Sequence, residues 1–307
     1  MARRILITGA TGNQGGSVAR LLLQSPAEFT VRALTRNPES SAAKALRDAG
    51  AEIVRGDLTV RSSLDAAFRC CWGAFVATNF YDTIKDDPAS EETQGRNAAE
   101  AALEAGVHCF VWSTLPSSLE ISKGKVACEI YEGKHRVDSY IHDIGLPAVY
   151  VFTGNFYENQ IRRSHVVETD DTIEFRQPII KGDVKLHMLW VELDLAAVVR
   201  AIFERWVSAK ETLLYKHLYA MDAVRSPNEI CSIIERVTGK PTKYVVLPST
   251  GNEARDTMFN LYNLTGTYPG VELPDPNVLN LGVELHGAEQ FVRERLVPHL
   301  QRIKEST

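Results

Sequence analysis

Residues 5–17 read ILITGATGNQGGS, and the fold turns on how this stretch is read. Ile5, Leu6 and Ile7 lead through Thr8 into glycines at 9, 12 and 15, and an amphipathic segment opens at Gln14. A glycine triplet carries meaning only when it follows a strand and opens a helix, and both conditions hold here. Each glycine has a physical task. Gly9 turns the chain without a side chain, Gly12 lets backbone approach a pyrophosphate, and Gly15 lets the helix pack closely on the strand. The new helix offers free N–H groups and a partial positive charge to phosphate. Thr11, Asn13 and Gln14 share this turn, so the reading is a dinucleotide site rather than a turn alone.

Working outward, short apolar runs alternate with longer amphipathic ones, the pattern of a parallel sheet covered by helices. Strands are expected at 4–8, 30–35, 52–55, 73–78, 108–113 and 148–152, and helices at 14–24, 39–49, 63–71, 91–105 and 131–144. Right-handed crossovers between such units give a doubly wound Rossmann sheet, so the fold class is α/β. The alanines at 98, 99, 101, 102 and 105 make a small-residue face suited to packing.

After Phe152 the alternation breaks, with polar stretches at 155–171 and 248–256 and prolines at 269–276. The division expected is therefore a dinucleotide-binding Rossmann domain at 1–153 and a smaller substrate or partner region at 154–307. Elements around 186–221 are expected to return to the sheet, including a helix at 193–206 with Asp194 placed to cap it. Ser226, Pro227 and Glu229 mark a further helix start and Gly239 its stop.

Composition excludes several classes. The 307 residues are 44% hydrophobic and carry a net charge of -5, with Lys and Arg scattered, so direct nucleic-acid binding is not expected. The N-terminus does not read as a signal peptide, and no run approaches the roughly 18 apolar residues of a membrane span, so a cytoplasmic protein is expected. The five cysteines form no CxxC pair and read as reduced, mostly buried thiols. The histidines lack ligand spacing, although His135 and His142 could lie on one helix face seven residues apart, and with three or four converging ligands required no metal is expected.

At the end of the second strand, where an NAD-specific site places an acid for the ribose hydroxyls, the chain has Thr35 and Arg36. A guanidinium there pairs with a 2′-phosphate, which favours NADPH/NADP+ over NAD. Asp57 and Leu58 follow the third strand and are placed to flank adenine. Thr78, Asn79 and Phe80 follow the fourth, where the nicotinamide half passes.

Together these motifs resemble the NmrA-like branch of the atypical short-chain dehydrogenases/reductases over nearly the whole chain. The carriers are GATGNQGGS at 9–17, Arg36, GDL at 56–58, TNF at 78–80, GNFYEN at 154–159 and the SPNEICSIIERVTGK helix. The resemblance implies that Asn13, Gln14, Arg36, Thr78 and Lys134 touch the cofactor. It also implies two kinds of protein, reductases of small molecules and NADPH sensors that act on a protein partner, and fold alone does not choose between them.

Ordinary short-chain dehydrogenases place Tyr-x-x-x-Lys on one helix, the lysine lowering the tyrosine pKa for proton transfer. Here Lys134 is kept, but Ile130 stands four residues before it. Tyr131 is a neighbour on the helix surface and is read either as the proton donor or as a packing tyrosine. Ser113 reads as a substrate-polarising hydroxyl or a strand-end cap. From the cap, Asn155, Tyr157, Glu158 and Asn159 are expected to face the nicotinamide, with Glu158 either an acid or the ion-pair partner of Arg162.

Three functions follow as expectations. The first is an NADPH-dependent reductase of a conjugated C=O, C=C or C=N group in a specialised metabolite. The second is a redox sensor, and the third a non-redox cyclase or isomerase with Glu158 as its acid. The sequence leaves monomer and homodimer open.

Overall fold

The computed structural model describes residues 2–82 and 90–306. Its first half runs β1 (Arg3–Ile7), α1 (Asn13–Leu23), β2 (Phe29–Thr35), α2 (Ser41–Asp48), β3 (Glu52–Arg55), α3 (Asp65–Phe68), β4 (Gly73–Val76), α4 (Ser90–Glu104), β5 (Cys109–Thr114), α5 (Ser118–Ile121), α6 (Glu129–Asp143) and β6 (Ala148–Phe152). The second half runs β7 (Asn155–Phe156), α7 (Asn159–Arg162), β8 (Val166–Glu168), β9 (Ile173–Pro178), β10 (Leu186–Leu189), α8 (Ala196–Leu213), β11 (His217–Tyr219), β12 (Ala223–Arg225), α9 (Pro227–Thr238), β13 (Thr242–Leu247), α10 (Glu253–Thr265), α11 (Pro276–Asn280), α12 (Ala288–Phe291) and α13 (Val297–Ser306).

The large sheet has seven strands in the order β11-β6-β5-β4-β1-β2-β3, every pair parallel. The order reverses direction between β1 and β4, the switch point at which open α/β sheets bind ligands beyond their strand C-termini. All residues of β4, β5 and β6 are buried, as strands covered on both faces must be. The α/β Rossmann-type class expected from the sequence holds. The expected helix at 63–71 is cut short: a single 3₁₀ turn and the four-residue α3 stand there, and the chain leaves helix before Cys70, whose φ is 59°. The alanine-rich α4 packs as its small residues suggest; a Cβ on Gly95 would stand 2.7 Å from Val137 of α6 and 2.9 Å from Trp112 of β5.

Two three-stranded sheets, β12-β10-β7 and β13-β9-β8, organise most of the remainder. Of the elements expected to return to the large sheet, α8 and β11 lie there: Phe203 of α8 packs on Phe29 and Trp72, and β11 pairs with β6. β10, however, pairs with β7 and β12 in a small sheet. Asp194 does not cap a helix. The chain is already helical from Val191, and the fully buried Asp194 carboxylate accepts the His286 backbone N–H at 3.1 Å and faces its Nδ1 at 2.6 Å. The start of α9 is a capping box with Glu229 N–H donating to Ser226 Oγ at 3.2 Å, and Gly239 ends it in the left-handed conformation. Among the described residues no helix is long and apolar enough to cross a membrane, and no cluster of three metal-ligating side chains exists.

Candidate functional site

The C-terminal ends of the sheet strands open into a cleft of about 1000 Å³, walled on its other side by residues that follow β6 and by α10. Gly9, Thr11, Gly12, Asn13, Gln14 and Gly15 form one end of its lining. Gly9 holds φ at 57°, and Gly12 N–H donates back to Gly9 O at 2.8 Å, which closes the turn. A Cβ on Gly15 would stand 2.2 Å from Thr8 O, so only glycine lets α1 lie this close to β1. No side chain caps the first turn of α1. Its N–H groups thus face an open cleft over a side-chain-free turn, the donor set that pyrophosphate requires.

Arg36 lines the cleft just beyond β2, and Asn37 and Ser40 lie beside it. Asp57 and Leu58 also line it. Asp57 Oδ1 accepts the Thr59 N–H at 2.9 Å and its hydroxyl at 2.8 Å, which fixes the loop after β3. After β4, the side-chain amide of Gln94 brackets Asn79, accepting its N–H at 3.2 Å and donating to its carbonyl at 3.1 Å. Asn79, Phe80 and Thr78 therefore meet the cleft on a braced loop.

Lys134 projects from α6 to the same place. Its Nζ donates to Thr78 Oγ1 at 2.7 Å and lies 3.1 Å from Glu91 Oε1 and 5.3 Å over the Trp112 ring. Thr78 in turn donates to Glu91 Oε1 at 2.8 Å, so ammonium, hydroxyl and carboxylate form one closed set. Glu91 is 2% exposed and its Oε2 has no hydrogen-bond partner among the described residues, so the pair is held away from bulk water. One turn further along α6, Asp138 accepts from Trp112 Nε1 and Thr114 Oγ1, both at 2.7 Å. Burial pushes its carboxyl up to about 7.

Four expectations need correction. Ser113 is 1% exposed and its hydroxyl donates to Gln14 Oε1 at 2.7 Å, so it orients Gln14 instead of meeting the cleft. Tyr131 reaches the lining, but it is 1% exposed and its ring packs edge-on against that of Tyr262 at 6.3 Å. Burial first, then the neighbouring phenols, raises its pKa well above the ordinary value, the opposite of what a proton donor needs. Glu158 turns inward, and its Oε1 accepts the Glu192 backbone N–H at 2.9 Å; no ion pair with Arg162 forms. Tyr157 turns inward as well, donating to Asp222 at 3.1 Å and stacking on Phe291. Asn155 and Asn159 do line the cleft, as does Ile130.

Sequence reasoning passed over Glu91, Gln94 and Asp138. The signal available for Asp138 was its place four residues after Lys134, an acid on the buried face of an amphipathic helix. Glu91 and Gln94 stand at the start of α4, where acids ordinarily serve the helix dipole, and nothing local marks them as partners of Lys134. Arg162, Arg163, His165 and Arg255 also line the cleft, from segments that carry no motif.

Switch-point cleft, glycine turn and uncapped helix define a dinucleotide-binding α/β protein. The chain belongs to the NmrA-like family, whose profile matches residues 1–268. It is similar to the NmrA-like family domain-containing oxidoreductase FrzB of Cladobotryum sp, 34% identical over 264 residues, which cover 80% of this chain and 76% of that one. The oxidoreductase hkm9 of Aspergillus hancockii is 31% identical over 309 residues, covering 93% and 90%. Among solved structures, NmrA, a negative transcriptional regulator, in complex with NADP superposes with a TM-score of 0.80 at 20% identity over 98% of each chain. The Citrobacter sp. triphenylmethane reductase complexed with NADP(H) gives 0.72 at 17% identity, over 95% of this chain and 99% of that one. At these identities the structural likeness is one of fold.

Proposed function

We propose that the protein is an NADPH-dependent reductase acting on a conjugated C=O, C=C or C=N group of a small molecule. The observation that carries the reading is the Lys134 ammonium, held by Thr78 at 2.7 Å and Glu91 at 3.1 Å on the wall of the dinucleotide cleft. A sensor needs only a binding surface, whereas a charged amine braced from two sides is suited to holding a proton beside a reacting atom. The N–H groups of α1 would hold the pyrophosphate, and Arg36 the 2′-phosphate, which supports NADP(H) over NAD. Both NADP(H) in the Citrobacter structure and the oxidoreductase names of the relatives agree with this reading.

When bound, the reduced cofactor supplies a hydride to one atom of the substrate double bond. Lys134 supplies the proton to the other atom and is reprotonated from water, which balances the addition of two hydrogens. Glu91 and Thr78 aim the amine from two sides and fix its rotamer. Leu115, Ile130, Phe156 and Met258 give the cleft an apolar wall for an organic substrate. The cyclase or isomerase reading loses its acid, since Glu158 is bonded to Glu192 and not to the cleft.

NADPH consumption by purified protein, followed by nicotinamide absorbance over a panel of enals, enones and imines, tests the proposal. Turnover is expected, with Lys134→Met lowering kcat by about 100-fold or more while NADP+ still binds. No NADPH oxidation on any member of the panel would sink the reductase reading. Ile130 at the usual tyrosine position then favours the sensor, with a partner protein and no turnover.

A further inference from the structure

The cap wall of the cleft holds cationic groups that the dinucleotide does not account for. Arg162 and Arg163 end α7, Arg255 lies in the first turn of α10, and His165 sits among them. Among the described residues the cleft lining contains two carboxylates, Asp57 and Glu91, and both are engaged elsewhere, by Thr59 and by Lys134. Among the described residues none of the three arginines forms an ion pair; Arg163 Nε donates to Asn159 Oδ1 at 3.3 Å, and Arg255 lies 4.9 Å over the Tyr81 ring. Arg255 Nε and His165 Nδ1 are buried and have no hydrogen-bond partner among the described residues. The arginines also act on each other and on the histidine. Burial, then Arg255, lowers the Arg163 pKa, and burial, then Arg163 and Arg255, pushes His165 down to about 4.

Arg162 and Arg163 are exposed and Arg255 is partly buried; like charges gathered on one wall of the cleft repel one another, and a bound anion relieves that repulsion. The cofactor has its own anion sites, the α1 N-terminus for the pyrophosphate and Arg36 for the 2′-phosphate, on the sheet side of the cleft. The same cleft is lined by the rings of Tyr81, Tyr131, Phe259 and Tyr262, with Arg255 over Tyr81 and Tyr262 against both Tyr131 and Phe259, and such rings suit a flat aromatic body. We propose that Arg162, Arg163 and Arg255 form a substrate subsite for an anionic oxygen group, carboxylate or phosphate, on an aromatic molecule whose reducible bond lies toward Lys134. The anion subsite stands independently; only the placing of the reducible bond rests on the reductase reading.

The test uses the full chain saturated with NADP+ and two isosteric probes, cinnamate and cinnamamide, titrated by calorimetry. Cinnamate is expected to bind at least about tenfold tighter, since the charged group gains the guanidinium bonds and the amide does not. The double variant Arg163→Gln, Arg255→Gln is expected to erase that preference and leave NADP+ affinity within about twofold. Equal binding of the two probes to the parent protein, or binding of neither, overturns the subsite without recourse to any variant. Retention of the preference in the double variant overturns it too. A tenfold loss of NADP+ affinity in that variant would assign the arginines to a cofactor phosphate instead, and the substrate subsite falls. If cinnamate is preferred but no panel compound is reduced, the subsite stands and the reductase reading fails.

Discussion

At the scale of single residues, the buried acid of α6 gives the cleanest pH signature. Asp138 titrates near 7 in the folded protein against 3.8 for an ordinary solvated aspartate, because burial outweighs the bonds from Thr114 and Trp112 and the attraction of Lys134. A carboxyl whose folded pKa is raised binds its proton more tightly when folded. Its contribution to stability is then fully present below about pH 4 and is lost as pH rises through about 7. Asp138→Asn keeps an acceptor for both donors but cannot titrate. The variant is expected to gain on the parent by about 1–3 kcal/mol between pH 4 and pH 8. Thermal melts of both proteins across that range measure it, and a difference that stays flat with pH refutes the assignment.

At the scale of elements, the strand–turn–helix at the start of the chain separates folding from binding. A Cβ at position 15 would stand 2.2 Å from Thr8 O and 2.6 Å from Gly9 O, both backbone atoms. Gly15→Ala must push α1 off β1 and should cost about 3 kcal/mol or more, with cofactor affinity lost as well. At position 12 the added Cβ meets only Gly9 O, at 3.2 Å, and the backbone φ of -98° is open to any residue. Gly12→Ala should therefore fold with little loss while NADP+ binding weakens by about tenfold or more, because the methyl intrudes where pyrophosphate approaches. Melting and calorimetry on the two variants read these apart, and equal destabilisation by both would contradict the division of roles. This element was legible from sequence because its requirements are local: glycine spacing, an apolar run before it and an amphipathic run after. The same holds for the box of Ser226 and Glu229 at α9. Where the chain was misread, the deciding contact was distant. Asp194 looks like a cap until His286, 92 residues away, takes its carboxylate. Ser113 looks like a catalytic hydroxyl until Gln14, 99 residues away, accepts it. Glu158 looks exposed beside Arg162 until Glu192 N–H is found against it.

For the whole molecule, the cleft joins two sets of elements that share few continuous strands, the large parallel sheet on one side and the post-β6 segments with α10 on the other. On the proposed reading the α1 N-terminus, Arg36 and Lys134 hold the dinucleotide, which then binds only the folded chain and stabilises it by mass action. At a concentration of about 100 Kd the gain is about 2.7 kcal/mol, a rise of several degrees in Tm. NADP+ is expected to raise Tm more than NAD+ does at equal concentration, because only NADP+ presents a 2′-phosphate to Arg36. The charge-reversing change Arg36→Glu should invert that order, since a carboxylate repels the phosphate and accepts bonds from the ribose hydroxyls instead. Melting curves of parent and variant with each dinucleotide give four shifts that must cross if Arg36 reads the phosphate. Should both dinucleotides shift the parent equally, the 2′-phosphate meets no guanidinium, and the preference for NADP(H) drawn from residue 36 is lost while the glycine turn keeps its role.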